Sequence, residues 1–99
     1  MIHDIERAKA IRQKAEMELA RIAEIERRVQ KGDLARLTIA KNQFQDVEDF
    51  FLRLLEKENR TPQQEGFWLS YTERLVQIWS AEVTKLSQRM TDGVNLEVA

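Results

Sequence analysis

The apolar residues of this chain recur at steps of three and four over long segments, which is the period of one face of an α-helix. In the first segment, residues 3–31, the repeating positions are Ile5, Ala8, Ile11, Ala15, Leu19, Ile22, Ile25 and Val29. In the second segment, residues 34–58, they are Leu37, Ala40, Phe44, Val47, Phe51 and Leu54. The pattern predicts an all-α fold that begins with two long amphipathic helices.

Gly32 and Asp33 form a break between these two segments. Glycine suits the left-handed position that follows a helix C-terminus, where a side chain would clash. Asp33 is suited to accept hydrogen bonds from the free N–H groups at the start of the next helix. A connection this short favours helices that pack antiparallel as neighbours. The sequence therefore predicts a long antiparallel helical hairpin with its turn at Gly32 and Asp33.

Three agreeing signals mark the start of a third helix, predicted to span residues 62–90. Thr61 is a helix N-cap residue, and Pro62 fits the first helical position. Gln64 is placed to close a capping box by accepting a hydrogen bond from the Thr61 backbone. With the hairpin, this helix predicts an arrangement that resembles a three-helix bundle.

Two further glycines refine the prediction for the third helix. Gly66 in its first turn costs about 1 kcal/mol relative to alanine, which suggests that another backbone approaches closely there. Asp92 and Gly93 are expected to stop the helix and leave residues 94–99 as a short tail. With no linker and no internal repeat, residues 1–99 are expected to form one helical domain.

The apolar stripes of the second and third helices are wider than one neighbouring helix can cover. They extend over about 220° and about 200° of the helix surface when each residue turns the helix by about 100°. Contiguous apolar surface that stays exposed usually marks an interface, so a homo-oligomer is expected. The candidate protein-interface residues are Phe50, Phe67, Trp68, Tyr71, Ile78 and Trp79.

The aromatic residues of the third helix also allow a second interpretation, in which they stack on nucleic-acid bases. Only one basic residue, Arg74, lies between Phe67 and Trp79. Core and subunit packing therefore explain the aromatic residues better than base stacking does.

The composition is that of a soluble helical protein, with 33% charged and 42% hydrophobic residues among 99. No apolar run approaches the roughly 18 residues that span a bilayer, so we expect a cytoplasmic protein with no membrane contact. The absence of cysteine excludes disulfides, thiolate metal sites and cysteine nucleophiles.

Few residues point to chemistry. His3 is the single histidine, and the acidic residues near it do not complete a metal site. The acidic group Asp46, Glu48 and Asp49 would need a partly buried site to act as an acid–base pair, and a solvated face is the simpler interpretation. The glycines are too far apart for a phosphate-binding loop. We therefore expect no catalysis, no cofactor, no metal and no small-molecule substrate.

Charge is distributed unevenly although the net charge is only −1. Residues 1–45 contain ten Lys/Arg and seven Asp/Glu, whereas residues 46–99 contain six Lys/Arg and ten Asp/Glu. A basic surface is thus expected on the first helix and the turn that follows it. The candidate nucleic-acid contacts are Arg21, Arg27, Arg28, Lys31 and Arg36, and the alternative is an ordinary solvated helix face.

Residues 15–58 resemble the central helical hairpin of the small terminase subunits of tailed phages. In that family an Ala/Glu/Leu-rich helix ends in a Lys/Arg-Gly-acidic-Leu turn, matched here by the sequence Lys-Gly-Asp-Leu at residues 31–34. The second helix then ends in an apolar stretch, matched by residues 47–55. The resemblance implies an oligomerisation module, in a ring or dimer, that recognises viral DNA and hands it to the large ATP-hydrolysing subunit.

The sequence departs from that family at its start. Many members carry a helix-turn-helix DNA-binding domain before the hairpin, whereas the first helix here begins near Met1. The chain is then a variant that reads DNA through its hairpin, a fragment, or a satellite-encoded protein that joins and redirects a phage's small subunit. The alternative function is a small regulatory binding protein, such as an antiactivator, inhibitor or chaperone, that sequesters one protein partner.

Overall fold

A computed structural model describes residues 3–56 and 60–98, with the exception of the side chains of Leu55 and residues 91–98. It contains three α-helices, α1 (Ile5–Ile25), α2 (Lys31–Glu56) and α3 (Pro62–Val98). Each helix packs against the other two in an elongated bundle that measures 58 × 18 × 16 Å. The predicted all-α, three-helix architecture is confirmed.

Helices α2 and α3 run antiparallel. The ring centroids of Phe50 and Trp68 lie 5.6 Å apart. Earlier on α2, Arg36 Nε donates to Glu82 Oε1 over 2.6 Å. Residue numbers therefore rise along α2 as they fall along α3.

Helices α1 and α3 run parallel, so α1 and α2 form the antiparallel hairpin that the sequence predicts. Arg7 Nη2 donates to Ser70 Oγ over 3.0 Å, and Arg21 Nη1 donates to Thr84 Oγ1 over 3.0 Å. The same offset of 63 residues separates the partners in both pairs, which fixes the register of α1 on α3.

One apolar core runs between the three helices. Burial of a large apolar side chain contributes about 1.5 to 3 kcal/mol, so this core is the main source of stability. The predicted stripe of α2 is buried at every position, and α1 adds small residues that let the helices approach closely. The buried apolar side chains are Ala8, Ile11, Ala15, Ile22, Ile25, Leu37, Ala40, Phe44, Val47, Phe51, Leu54, Leu69, Val76, Val83 and Leu86.

The predicted turn at Gly32 and Asp33 is wrong. Helix α1 ends at Ile25, residues 26–30 connect the helices, and α2 already begins at Lys31. No described glycine has a left-handed backbone, so Gly32 is an ordinary helical residue.

The position of Asp33 supplies a physical reason for the shift of the turn. In the first turn of α2 its carboxylate is buried, and Arg89 Nη2 lies 3.2 Å from Asp33 Oδ1. A carboxylate at a helix N-terminus is also stabilised by the helix dipole. Asp33 thus stabilises α2 from within its first turn rather than from a cap.

The predicted start of α3 is confirmed. Gln64 N donates to Thr61 Oγ1 over 3.1 Å, and Thr61 N donates to Gln64 Oε1 over 3.1 Å. These two bonds form the capping box, with Pro62 as the first residue of α3.

The predicted end of α3 is wrong, because the helix continues through Asp92 and Gly93 to Val98. The expected tail is thus helical over residues 94–98, and Ala99 lies outside the described residues. Helical glycine costs only about 1 kcal/mol and does not force a break. The predicted end of α2 at residue 58 also lies outside the described residues, and α2 is described to Glu56.

Gly66 lies inside α3 without the close neighbour that its position suggested. A Cβ atom placed on Gly66 would meet nothing within 4 Å. The predicted close approach of another backbone is therefore wrong within this chain.

Glu65 joins three parts of the chain at one end of the bundle. Its side chain is 1% exposed. Its two carboxylate oxygens accept hydrogen bonds from the backbone N–H of His3 over 2.9 Å and of Asp4 over 2.8 Å. Arg60 Nη2 lies 3.7 Å from Glu65 Oε1 and also donates to the Leu54 carbonyl over 2.6 Å. The start of α1 is thereby attached to α3 and to the connection that follows α2.

The Glu65 attachment leads to a prediction for stability. Glu65→Leu removes the acceptor of the His3 and Asp4 N–H groups, and the unsatisfied groups should lower the free energy of unfolding by about 3 kcal/mol. Glu65→Gln is the matched control, because it keeps a side-chain oxygen and should cost clearly less. Urea unfolding followed by circular dichroism measures both, and a Leu variant as stable as the wild type would contradict the proposed role.

Candidate protein interface on the α2–α3 face

Four of the six predicted interface residues are exposed. The exposed fractions are 67% for Phe67, 53% for Ile78, 52% for Tyr71 and 44% for Trp68. All four lie on α3. Exposed aromatic and aliphatic side chains of this size are unusual when they are grouped rather than scattered.

The two other predicted interface residues, Phe50 and Trp79, are partly buried and pack against the core. Trp79 therefore serves the fold of the single chain. Phe50 lies at the boundary between core and surface, because its ring also contacts Trp68.

Trp68 is the centre of an aromatic cluster on the surface. Its ring centroid lies 5.6 Å from that of Phe50, 5.7 Å from that of Phe67 and 5.9 Å from that of Tyr71. The last two pairs meet edge to face, at interplanar angles of 81° and 88°. This arrangement suits the charge distribution of aromatic rings. The contacts hold the exposed rings in place without a binding partner.

A groove of about 340 Å³ lies beside this cluster, between α2 and α3. Trp68, Tyr71 and Leu75 line it from α3, and Phe50 and Asp46 are among the residues that line it from α2. Its walls are thus partly apolar and aromatic, and Asp46, Asp49 and Arg53 place charged groups of both signs at the edge of α2.

Ile39 extends the apolar surface along the same groove. It is 46% exposed and lies one helical turn after Arg36 on α2, while Ile78 lies about one turn before Glu82 on α3. Because Arg36 and Glu82 pair directly, the two isoleucines lie on the same side of the bundle. Ile39 is absent from the interface residues predicted from the sequence. Its position outside the buried apolar stripe of α2 was the signal that could have identified it as exposed.

We call this surface the α2–α3 face, formed by Ile39, Phe50, Phe67, Trp68, Tyr71, Leu75 and Ile78. Three other large apolar side chains, Met17, Leu34 and Leu52, are exposed elsewhere on α1 and α2. They are widely separated along the sequence, and single exposed apolar residues are common on proteins. The α2–α3 face is therefore the surface best suited to a binding partner.

The five candidate nucleic-acid contacts separate into two groups. Arg21 donates to Thr84, and Arg36 pairs with Glu82. Arg27 and Arg28 are exposed on the connection between α1 and α2, and Lys31 is exposed at the start of α2. The structure thus leaves three basic side chains together at one end of the bundle.

The acidic residues Asp46, Glu48 and Asp49 do not form one site. Asp46 and Asp49 line the groove beside α3. Glu48 instead interacts with Glu16 of α1, and burial together with the charge of Glu16 raises the pKa of Glu48 above its ordinary value. Among the side chains that the structure describes, in residues 3–54, 56 and 60–90, no group of three acidic or histidine residues is arranged to hold a metal ion.

Comparisons with protein-family models, with curated proteins and with solved structures give no match to this chain. In the part of the chain that the structure describes, no helix combines the length and the apolar character needed to cross a membrane. The likeness to small terminase subunits thus remains an expectation from the sequence.

The raised pKa of Glu48 predicts a pH dependence. Between the ordinary pKa and the raised value, the folded chain binds more protons than the unfolded chain, so stability falls as pH rises through that window. Glu48→Gln removes a partly buried charge beside Glu16 and should be more stable than the wild type at pH 7. The difference should vanish once the pH falls below the ordinary pKa of glutamate.

Thermal unfolding from pH 3 to pH 7 measures this difference. Glu24→Gln, at an exposed position of α1, is the control, because it removes one charge without relieving the contact with Glu16. An advantage of Glu48→Gln that stays constant over the whole pH range would contradict the assigned cause.

Truncation of Trp79 and truncation of Phe67 should have different effects on the stability of the fold. Trp79→Ala removes a ring packed against the core and should lower the free energy of unfolding by about 2 to 3 kcal/mol, somewhat less than a fully buried ring would. Phe67→Ala removes a mostly exposed ring and should leave the stability of the monomer within about 0.5 kcal/mol. Urea unfolding at low protein concentration compares them, and equal losses would contradict the placement of Phe67 on the surface.

Proposed function

We propose that this chain is a non-catalytic adaptor that associates with itself and with another protein through the α2–α3 face. The observation that supports this proposal is the cluster of Phe67, Trp68 and Tyr71, exposed on one face and continuous with Ile39 and Ile78. Aromatic side chains are enriched in the buried centres of protein interfaces, where they supply much of the binding energy. A surface of this kind is better suited to contact with a partner protein than to exposure to water.

The process we propose is DNA packaging in a phage or satellite element, in the cytoplasm of a bacterial host. Two features support it: the long antiparallel hairpin of α1 and α2, and the apolar face available for assembly. The sequence Lys-Gly-Asp-Leu at residues 31–34 supports it less, because these residues form the first turn of α2 instead of the turn between the helices. In this role the chain would bind another packaging subunit, such as a terminase subunit, and would leave ATP hydrolysis to the large subunit.

A regulatory binding protein is the second candidate function. The observation that favours it is the pairing of Arg21 with Thr84 and of Arg36 with Glu82, because these bonds occupy two of the five candidate DNA contacts. A chain with net charge −1 and three exposed basic residues at one end has a small electrostatic attraction for DNA. An antiactivator, inhibitor or chaperone would need only the apolar face.

Native mass measured alone and with duplex DNA tests the two candidates. A packaging adaptor should form a dimer or ring and bind DNA at low salt, with an affinity that falls steeply at moderate salt. Replacing Arg27 and Arg28 by alanine should weaken DNA binding and leave the melting temperature unchanged, because both side chains are exposed. A small assembly indifferent to DNA would favour the regulatory protein, and a monomer at every concentration would contradict self-association.

A further inference from the structure

We infer that a second copy of this chain occupies the α2–α3 face, related by a two-fold axis parallel to the helices. In this arrangement α2 of each copy packs against α3 of the other. The inference rests on the proposed function, which requires self-association, and adds the geometry and the residues that determine it. Three observations carry it: opposite charges on the two rims of the face, the level of those charges along the bundle, and the positions of the apolar side chains.

The two rims of the α2–α3 face carry opposite charges near the middle of the face. On α2 the exposed charged residues beside the groove are Asp46, Asp49 and, about one turn further, Arg53, so this rim is acidic near Asp46 and basic at its end. On α3, Arg74 is exposed between Tyr71 and Ile78, which both lie on the face. Among the described residues, no ion pair within the chain involves Asp46, Asp49 or Arg74. These charges are thus available to another molecule.

The opposite charges also lie at nearly the same level along the bundle. Phe50 lies opposite Trp68, and Arg36 lies opposite Glu82, so each step forward on α2 corresponds to one step back on α3. Asp46, four residues before Phe50, is therefore level with Thr72. Thr72 is two residues from Arg74, a rise of about 3 Å along a helix.

A two-fold axis parallel to the helices uses this complementarity. This rotation leaves each residue at its level along the bundle axis and places α2 of one copy opposite α3 of the other. Asp46 of one copy therefore faces the partner's Arg74, and this contact occurs twice in each dimer. A two-fold axis perpendicular to the helices would instead place α2 beside α2 and α3 beside α3. With that axis at the level of Asp46 and Arg74, Asp46 would lie beside its own copy, as would Arg74, and like charges across an interface are unfavourable. The charges therefore select the parallel axis.

The apolar side chains suit the same arrangement. Phe67, Tyr71 and Ile78 of α3 would cover Phe50 and Ile39 on α2 of the other copy, because these residues occupy similar levels. Every neighbouring pair in the resulting four-helix bundle would be antiparallel. Such a contact is self-complementary and closed, so it ends at a dimer or supplies the repeating dimer of a larger assembly.

Charge reversal tests this geometry. Arg74→Glu and Asp46→Arg, made separately, should each weaken self-association by about tenfold or more, because each places like charges together twice per dimer. The chain that carries both substitutions should regain most of the lost affinity. Lys9→Glu, at an exposed position of α1, is the matched control and should leave self-association unchanged. Sedimentation equilibrium measures the dissociation constants, and circular dichroism verifies that each variant is folded.

Cross-linking supplies an independent measurement, because the chain contains no cysteine. Asp46→Cys and Arg74→Cys chains, mixed and oxidised, should form a disulfide between the two kinds of chain. Asp46→Cys alone should form little dimer, because a disulfide requires Cα atoms within roughly 7 Å.

The outcomes separate the two proposals. Efficient cross-linking of Asp46→Cys with itself, or association unaffected by Arg74→Glu, would overturn the two-fold arrangement and leave the adaptor function intact. A chain that stays monomeric at all concentrations would overturn the adaptor function as well.

Discussion

The shared burial of three apolar helix faces is the constraint on which the rest of the structure depends. No helix of this chain buries its stripe against a single neighbour, since the core draws on α1, α2 and α3 together. The small residues Ala8 and Ala15 of α1 and the larger Phe44 and Phe51 of α2 are buried together in this core. Because the interior is filled by these residues, apolar side chains outside the stripes have no place within the chain. The exposed α2–α3 face is thus a consequence of the same packing.

Polar contacts then determine how the helices align along the bundle axis. Apolar packing alone tolerates a shift of one helical turn, whereas the buried carboxylate of Glu65 has specific donors at His3 and Asp4. At the opposite end, Asp33 and Arg89 connect the start of α2 to α3. These two contacts attach α3 near its start, at Glu65, and at Arg89 to the other helices. The levels of the residues on the α2–α3 face, including Asp46 and Arg74, follow from this alignment.

Local signals in the sequence predicted the structure correctly where contacts within a single helical turn determine it. Thr61, Pro62 and Gln64 satisfy each other within four residues, so no distant contact can easily override them. The break at Gly32 was wrong because a distant residue, Arg89, stabilises Asp33 inside a helix. The end of α3 predicted from Asp92 and Gly93 was wrong for a related reason, because glycine permits a turn but does not require one.

The candidate site was predictable to a similar degree, and for similar reasons. The aromatic residues were identifiable because they widen the apolar surface of α3 beyond what one neighbouring helix can cover. Their division into exposed Phe67 and core-packed Trp79 was not, since it depends on the position of α2. Ile39 was missed for the same reason. The pairing of Arg21 and Arg36 with residues of α3 also lies beyond sequence patterns, because partners 46 and 63 residues away become neighbours only in the folded bundle.

The physical difference between the two candidate surfaces favours a protein partner over DNA. The rings of the α2–α3 face contact one another through Trp68, so they are already ordered before binding and lose little conformational entropy on association. Arg27 and Arg28 are long side chains on an irregular connection, and their attraction for a polyanion is screened by salt over about 8 Å at physiological ionic strength. An ordered apolar surface retains its affinity under those conditions. In the proposed function, association through α2 and α3 therefore precedes DNA binding, and any contact with nucleic acid by the basic end would gain strength from the number of copies that assembly brings together.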